Sequence, residues 1–293
     1  MTSCAGSLHW RYPLATRLAR RWFWRTAKRP TMRNVSSHSE PVSVLTLRVE
    51  GRDTPDWPVV RILVDGEDLF EQAAPGWGGF DPDDILGPTS PLLAPEGVGR
   101  RVAVYRCSCG EAGCGVIAPI ITRSPHSPRV EWTDFRNYAG VFFHPLPAVG
   151  EDTEADNIGR PWSLPDLSFD LGLYDEEVDR ASQDRSWETP RRQTARLLEQ
   201  RLRRMDLALP TGLPILRVMP AWEDDGYVVR FQRAYGDGTI DQADIPLPGV
   251  REDPRSAAAL LEARLRAVPV ARWGATFVES SAPRPASPRQ PEE

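Results

Sequence analysis

Lysine is all but missing: Lys28 is the single lysine among 36 basic residues in a chain of 293. Because Lys28 falls in a leader that reads as unfolded, the body has no amine for a Schiff base, a Walker-type phosphate loop or a kinase-like ATP site. Cysteine is equally scarce, with four in all, three of them between positions 107 and 114 and Cys4 alone near the start. That distribution excludes an evenly spread disulfide framework and points to a reducing compartment, the cytoplasm. No apolar run approaches the roughly 20 residues that cross a bilayer. The serine-hydrolase elbow G-x-S-x-G, the zinc-protease motif H-E-x-x-H and the dinucleotide motif G-x-G-x-x-G are absent. Internal repeats and sustained heptads are absent too.

What is abundant is proline, at 29, and glycine, at 22, which reads as short elements joined by many turns. Charge is unevenly spread. Arg11, Arg17, Arg20, Arg21, Arg25, Lys28, Arg29 and Arg33 stand in a leader without acids, so the rest of the chain is more acidic than the overall −5. An acidic body argues against general nucleic-acid binding, which needs a basic surface to neutralise phosphates. Within residues 1–40 the twin arginines resemble a secretion signal, but no apolar run follows. The leader is expected to be a disordered extension, with Met32 as an alternative start, or a basic amphipathic membrane-surface helix.

From Val42 the pattern turns to alternating, β-branched runs, VSVLTLRVEG and PVVRILVDGEDLF, which predict two strands. Residues 75–99 read as a long loop with one short helix. Three strands, about 101–107, 114–122 and 129–135, form a meander with turns at GEAG and SPHSP. Residues 150–166 read as a polar linker, and a second region begins at about Leu167. There Thr189 and Pro190 start a helix with Leu198, Leu202 and Met205 on its apolar stripe, and its arginines (191, 192, 196, 201, 203 and 204) form the solvated side. Strands in LPILRVMPAW, YVVRFQRAY and TIDQADIPL follow, joined at EDDG and GDG. Asp253 and Pro254 start a last helix, and residues 279–293 form a proline-rich disordered tail. The expected fold class is α+β: an antiparallel sheet with a cysteine-bearing hairpin in residues 41–149, then a helix, three-stranded meander and helix in residues 167–278.

The distinctive chemistry is the knuckle of Cys107, Cys109 and Cys114. In C-x-C, two sulfurs face the same side of an extended strand, and GEAG turns the chain so that the third returns beside them, with Gly110 and Gly113 tolerating left-handed backbone. Thiolates of this kind suit zinc, which takes four ligands in a tetrahedron. His126, in the next turn of the meander, is the expected fourth ligand; His144, Glu131, Asp134, Cys4 or a partner chain are the alternatives. A redox-active cysteine cluster and ordinary reduced cysteines are the competing readings.

The stretch RCSCGEAGCG with the following RVEWTDFR resembles a bacterial protein family with no established activity, a likeness spanning most of residues 42–275. CSCGEAGC alone also resembles the post-SET zinc motif, which implies zinc held by three cysteines with a fourth ligand from elsewhere. Since no SET-domain pattern accompanies it, methyltransferase activity is not implied.

Two further groups have both a chemical and a plain reading. Asp81, Asp83 and Asp84 in FDPDD can hold a hard cation or start a short capped helix, and the cap is the expected role. Trp132 and Phe135 beside Arg129 and Arg136 can stack bases, but alternation favours a strand with one buried face. The functional expectation is a non-enzymatic cytoplasmic protein in which a structural zinc knuckle presents a loop to a protein partner. The alternative is a metal- or thiol-dependent enzyme with a cleft at the knuckle, lined by His126, His144 or the FDPDD loop, in which His126 moves protons. A nucleic-acid-associated zinc protein is the third reading.

Overall fold

The computed structural model describes residues 41–51, 54–110, 112–147, 157–205, 207, 209–234 and 240–278. The leader, the tail, the first part of the expected linker and the GDG turn lie outside the described residues. Alternation in the first two strands is resolved as a hairpin: β1 (Leu45–Gly51) pairs antiparallel with β2 (Pro58–Val64), Leu47 opposite Ile62. Leu45, Leu47, Val60, Ile62 and Val64 all turn inward. Asp68 caps the short helix α1 (Leu69–Ala73). The loop that follows holds β3 (Gly78–Gly79) and α2 (Pro82–Ile85), whose cap is Asp81. The carboxylate of Asp81 accepts from the Asp83 N–H at 2.9 Å, the role expected of it.

The expected strand at 101–107 is interrupted, giving β4 (Arg100–Arg101) and β5 (Tyr105–Arg106). Both pair antiparallel with β6 (Val116–Arg123), which pairs in turn with β7 (Arg129–Tyr138). On β7, Asp134 adopts φ 49°, and the β6–β7 register shifts beside it. This bulge resets the alternation, so that Trp132 and Phe135, three apart, are both buried. They are core residues and not a base-stacking surface.

Part of the expected linker belongs to the sheet: β8 (Arg160–Pro161) pairs with β7, and Trp162 stacks on Trp77 at 6.0 Å. The residues assigned to the start of a second region also pack on the first core. Strand β9 (Leu167–Asp170) pairs with β7 and leads into helix α3 (Leu171–Gln183), which the apolar pattern did not announce. Tyr174, Val178 and Ala181 of α3 are buried in that core, and the Tyr174 hydroxyl donates to the Leu92 carbonyl and accepts from the Trp132 indole. Where α3 faces β1, Glu177 accepts from the Leu47 N–H and Arg180 donates to the Leu47 carbonyl, satisfying the edge of β1.

The second core begins with helix α4 (Pro190–Arg203), started by Thr189 and Pro190 as expected. It contributes Ala195, Leu198 and Leu202. A meander of β10 (Ile215–Pro220), β11 (Tyr227–Ala234) and β12 (Ile240–Leu247) lies beneath it, in the order β10-β11-β12. Helix α5 (Pro254–Arg266), capped by Asp253, adds Ala258, Leu261 and Leu265, and Trp273 and Phe277 close the end. The architecture is α+β with antiparallel sheets. No helix among the described residues is long and apolar enough to cross a membrane.

Candidate metal centre

Pairing of β5 with β6 builds the knuckle from its base upward. Tyr105 faces Ile117 and Arg106 faces Val116, and one step further the Cys107 N–H donates to the Gly115 carbonyl at 2.9 Å. Here the chain leaves the strand, so Cys107 and Cys109 sit in a turn and not on one face of an extended segment. The turn is closed by the Gly110 N–H on the Cys107 carbonyl at 3.0 Å. Gly110 has φ 85°, a left-handed conformation in which a side chain is strained. Gly113 instead lies against the ring of Phe143. A short 3-10 turn, Ala112–Cys114, brings the third thiol back.

The floor of the knuckle is aromatic. A Cβ at Gly115 would meet the Trp77 ring at 3.1 Å, so glycine is what lets the chain pass over it. The Gly140 N–H donates to the Gly113 carbonyl at 2.9 Å and ties the turn to the end of β7.

The sulfurs of Cys107, Cys109 and Cys114 all lie within 4.8 Å of one another. Tetrahedral zinc–thiolate bonds of about 2.3 Å set sulfurs about 3.8 Å apart, so the three positions fit a shared ion after small rotations. Cys109 and Cys114 are exposed and Cys107 is partly covered. Crowding holds the protons on: the bond with Cys109 first, then burial and the neighbouring thiols, push Cys114 up to about 12. Burial first, then Cys109, raises Cys107. Three adjacent thiolates are stable together only when a cation takes up their charge.

His126 does not join the cysteines. Cys114 lies just before β6 and His126 just after it, at opposite ends of an eight-residue strand. At about 3.3 Å per residue the strand between them spans about 23 Å. His126 sits exposed in its turn, its N–H bonded to the Ser124 hydroxyl. Glu131 is paired opposite Thr122, at that same far end. The Asp134 carboxylate is taken by Arg101 and Arg136, at 2.8 Å each. Cys4 lies outside the described residues. Among the described residues the cluster is the three cysteines alone.

A separate cleft of about 460 Å³ is lined by His144, Asp81, Asp83 and Asp84 with residues of α4 and β10, and none of the cysteines. Its acids are spoken for. Arg192 binds Asp81 through both terminal nitrogens, at 2.8 and 2.6 Å, and Asp83 at 2.6 Å. Arg185 takes the other Asp83 oxygen, and Arg217 pairs with Asp84. These carboxylates are therefore neutralised by guanidinium groups, which leaves the capping role and removes the hard-cation one. Arg192, expected on the solvated side of its helix, is buried. His144 lies 4.0 Å from Asp84, and burial first, then Arg230 and Arg106, hold its imidazole below the ordinary range.

Sequence reasoning missed Phe143, Trp77 and Arg192. Phe143, 44% exposed, is the wall of the knuckle, yet it arrives from a segment some thirty residues downstream, with no local pattern to mark it. No family model, curated protein or solved structure matches the chain.

Proposed function

We propose that the protein is a non-enzymatic zinc-binding protein of the cytoplasm, in which zinc held by Cys107, Cys109 and Cys114 fixes the β5–β6 turn for recognition by a protein partner. The observation that carries this reading is the convergence of the three sulfurs to within 4.8 Å at an exposed turn. The likeness of CSCGEAGC to the post-SET zinc motif supports it, and so does the setting. Trp77 and Phe143 pack against the two glycines that flank Cys114, so an ion that fixes the thiols also fixes the exposed Phe143 ring. Zinc has no redox chemistry of its own and serves in such sites as a four-ligand brace. The fourth ligand is proposed to come from outside the three-cysteine cluster.

The enzymatic alternative expects a cleft at the knuckle lined by His126, His144 or the FDPDD loop. The described cleft holds His144 and the FDPDD acids but neither the cysteines nor His126, and this favours the structural reading. Hydrogen exchange tests it. Stripping zinc with a chelator is expected to expose amides of residues 107–116 and of the Phe143 segment while the second core, around Leu198 and Phe231, keeps its protection. Unchanged exchange around the knuckle after zinc removal would contradict the role as a brace.

A further inference from the structure

Three neighbouring thiols that hold a metal also hold the electrons for a disulfide. Cys109 and Cys114 are the exposed pair, whereas Cys107 is partly covered and tied through its backbone to Gly115 and Gly110. Cys107 and Cys109 are separated by one residue, so a bond between them would close a small strained ring. Cys109 and Cys114 enclose four residues, among them Gly110 at φ 85° and Gly113. Their sulfurs lie within 4.8 Å, and the glycine-containing turn can close the remaining gap to the S–S length of about 2.05 Å.

We propose, building on the zinc reading above, that the knuckle is an oxidant-responsive metal site: a peroxide joins Cys109 to Cys114 and the ion is released. The Cys109 sulfur attacks one oxygen of hydrogen peroxide, the O–O bond breaks, and a sulfenic acid forms with hydroxide leaving. The Cys114 sulfur then attacks the sulfenyl sulfur, the S–S bond forms, and the S–O bond breaks with loss of a second hydroxide. Two thiolates give up two electrons, peroxide takes them, and two protons from solvent complete two waters. Cys107 remains as a single thiolate, too few ligands to hold zinc. Because the turn carrying Cys114 packs against Phe143, the exposed face is rearranged together with the loss of the ion.

The test uses full-length, reduced, zinc-loaded protein titrated with hydrogen peroxide, with released zinc read by a chromogenic chelator and disulfides by mass. Trypsin cuts after Arg106 and Arg123, so all three cysteines fall in one peptide, and the bond appears as the loss of two hydrogens from it. The expected result is one zinc released per disulfide, reversed by a thiol reductant. Cys107→Ser should still form the bond, whereas Cys109→Ser and Cys114→Ser should not. Zinc retained with no disulfide in excess peroxide would overturn this proposal and leave the metal reading standing. A disulfide that survives Cys109→Ser or Cys114→Ser would overturn the assigned pair. Reduced protein that takes up no zinc overturns the metal reading itself, and the release with it.

Discussion

Arg192 donates both terminal nitrogens to Asp81 across 111 positions of the chain, while Asp81 is also the cap of α2. This one pair joins the start of α4, which belongs to the second core, to the loop that covers the first. Both side chains are more than nine-tenths buried, so neither charge has water to fall back on. Removing one partner strands the other, at a typical cost of about 3–5 kcal/mol. Arg192→Leu is expected to lose that much in urea unfolding. Adding Asp81→Ser should recover part of the loss, because serine keeps the cap and removes the stranded charge. Simple additivity of the two losses would show that the pair does not couple the cores.

Acid should loosen the same junction. Burial works against ionisation of Asp83, but Arg192 and Arg185 outweigh it and hold its carboxyl below the ordinary range. A folded value below the unfolded one, about 3.9, gives stability that is fully present above that value and is lost as pH falls through the folded value. Unfolding free energy measured from pH 6 downward should therefore fall more steeply in the wild type than in Asp83→Asn, with the difference appearing below about pH 4. Parallel profiles would mean that Asp83 contributes nothing of this kind.

Gly79 marks a backbone contact that admits no side chain. A Cβ there would lie 1.7 Å from the Val60 carbonyl oxygen, where β3 crosses β2. A backbone atom cannot swing aside as a side chain can, so Gly79→Ala is expected to cost about 3 kcal/mol or more, at the upper end of overpacking. A melting temperature equal to wild type would show that the crossing is looser than described.

Local signals made much of this fold legible. Thr189–Pro190, Asp253–Pro254 and Asp81–Pro82 each combine a side-chain cap with a proline that needs no N–H, and all three start helices. Alternation marked β1 and β2, which present one face to a core, whereas β6 was marked by a continuous apolar run between turn residues, and Val116, Ile117 and Ala118 are buried on both of its faces. Helix α3 escaped because its buried stripe is only Tyr174, Val178 and Ala181, set among charged residues in LYDEEVDRASQ. Arg192 looked solvated because its partners stand more than a hundred residues upstream. The cysteines could be grouped from spacing because they share one turn. His126 could not be placed that way, since a hairpin sends its two turns to opposite ends and proximity along the chain becomes separation in space.

The central claim is most directly tested by the metal content of freshly reduced, full-length protein, measured by mass spectrometry beside a Cys107→Ser, Cys109→Ser, Cys114→Ser triple variant. The expected result is near-stoichiometric zinc in the wild type and none in a variant that still folds, since none of the three cysteine side chains belongs to either core. Wild-type protein without metal, or a triple variant that keeps its zinc, would contradict the account.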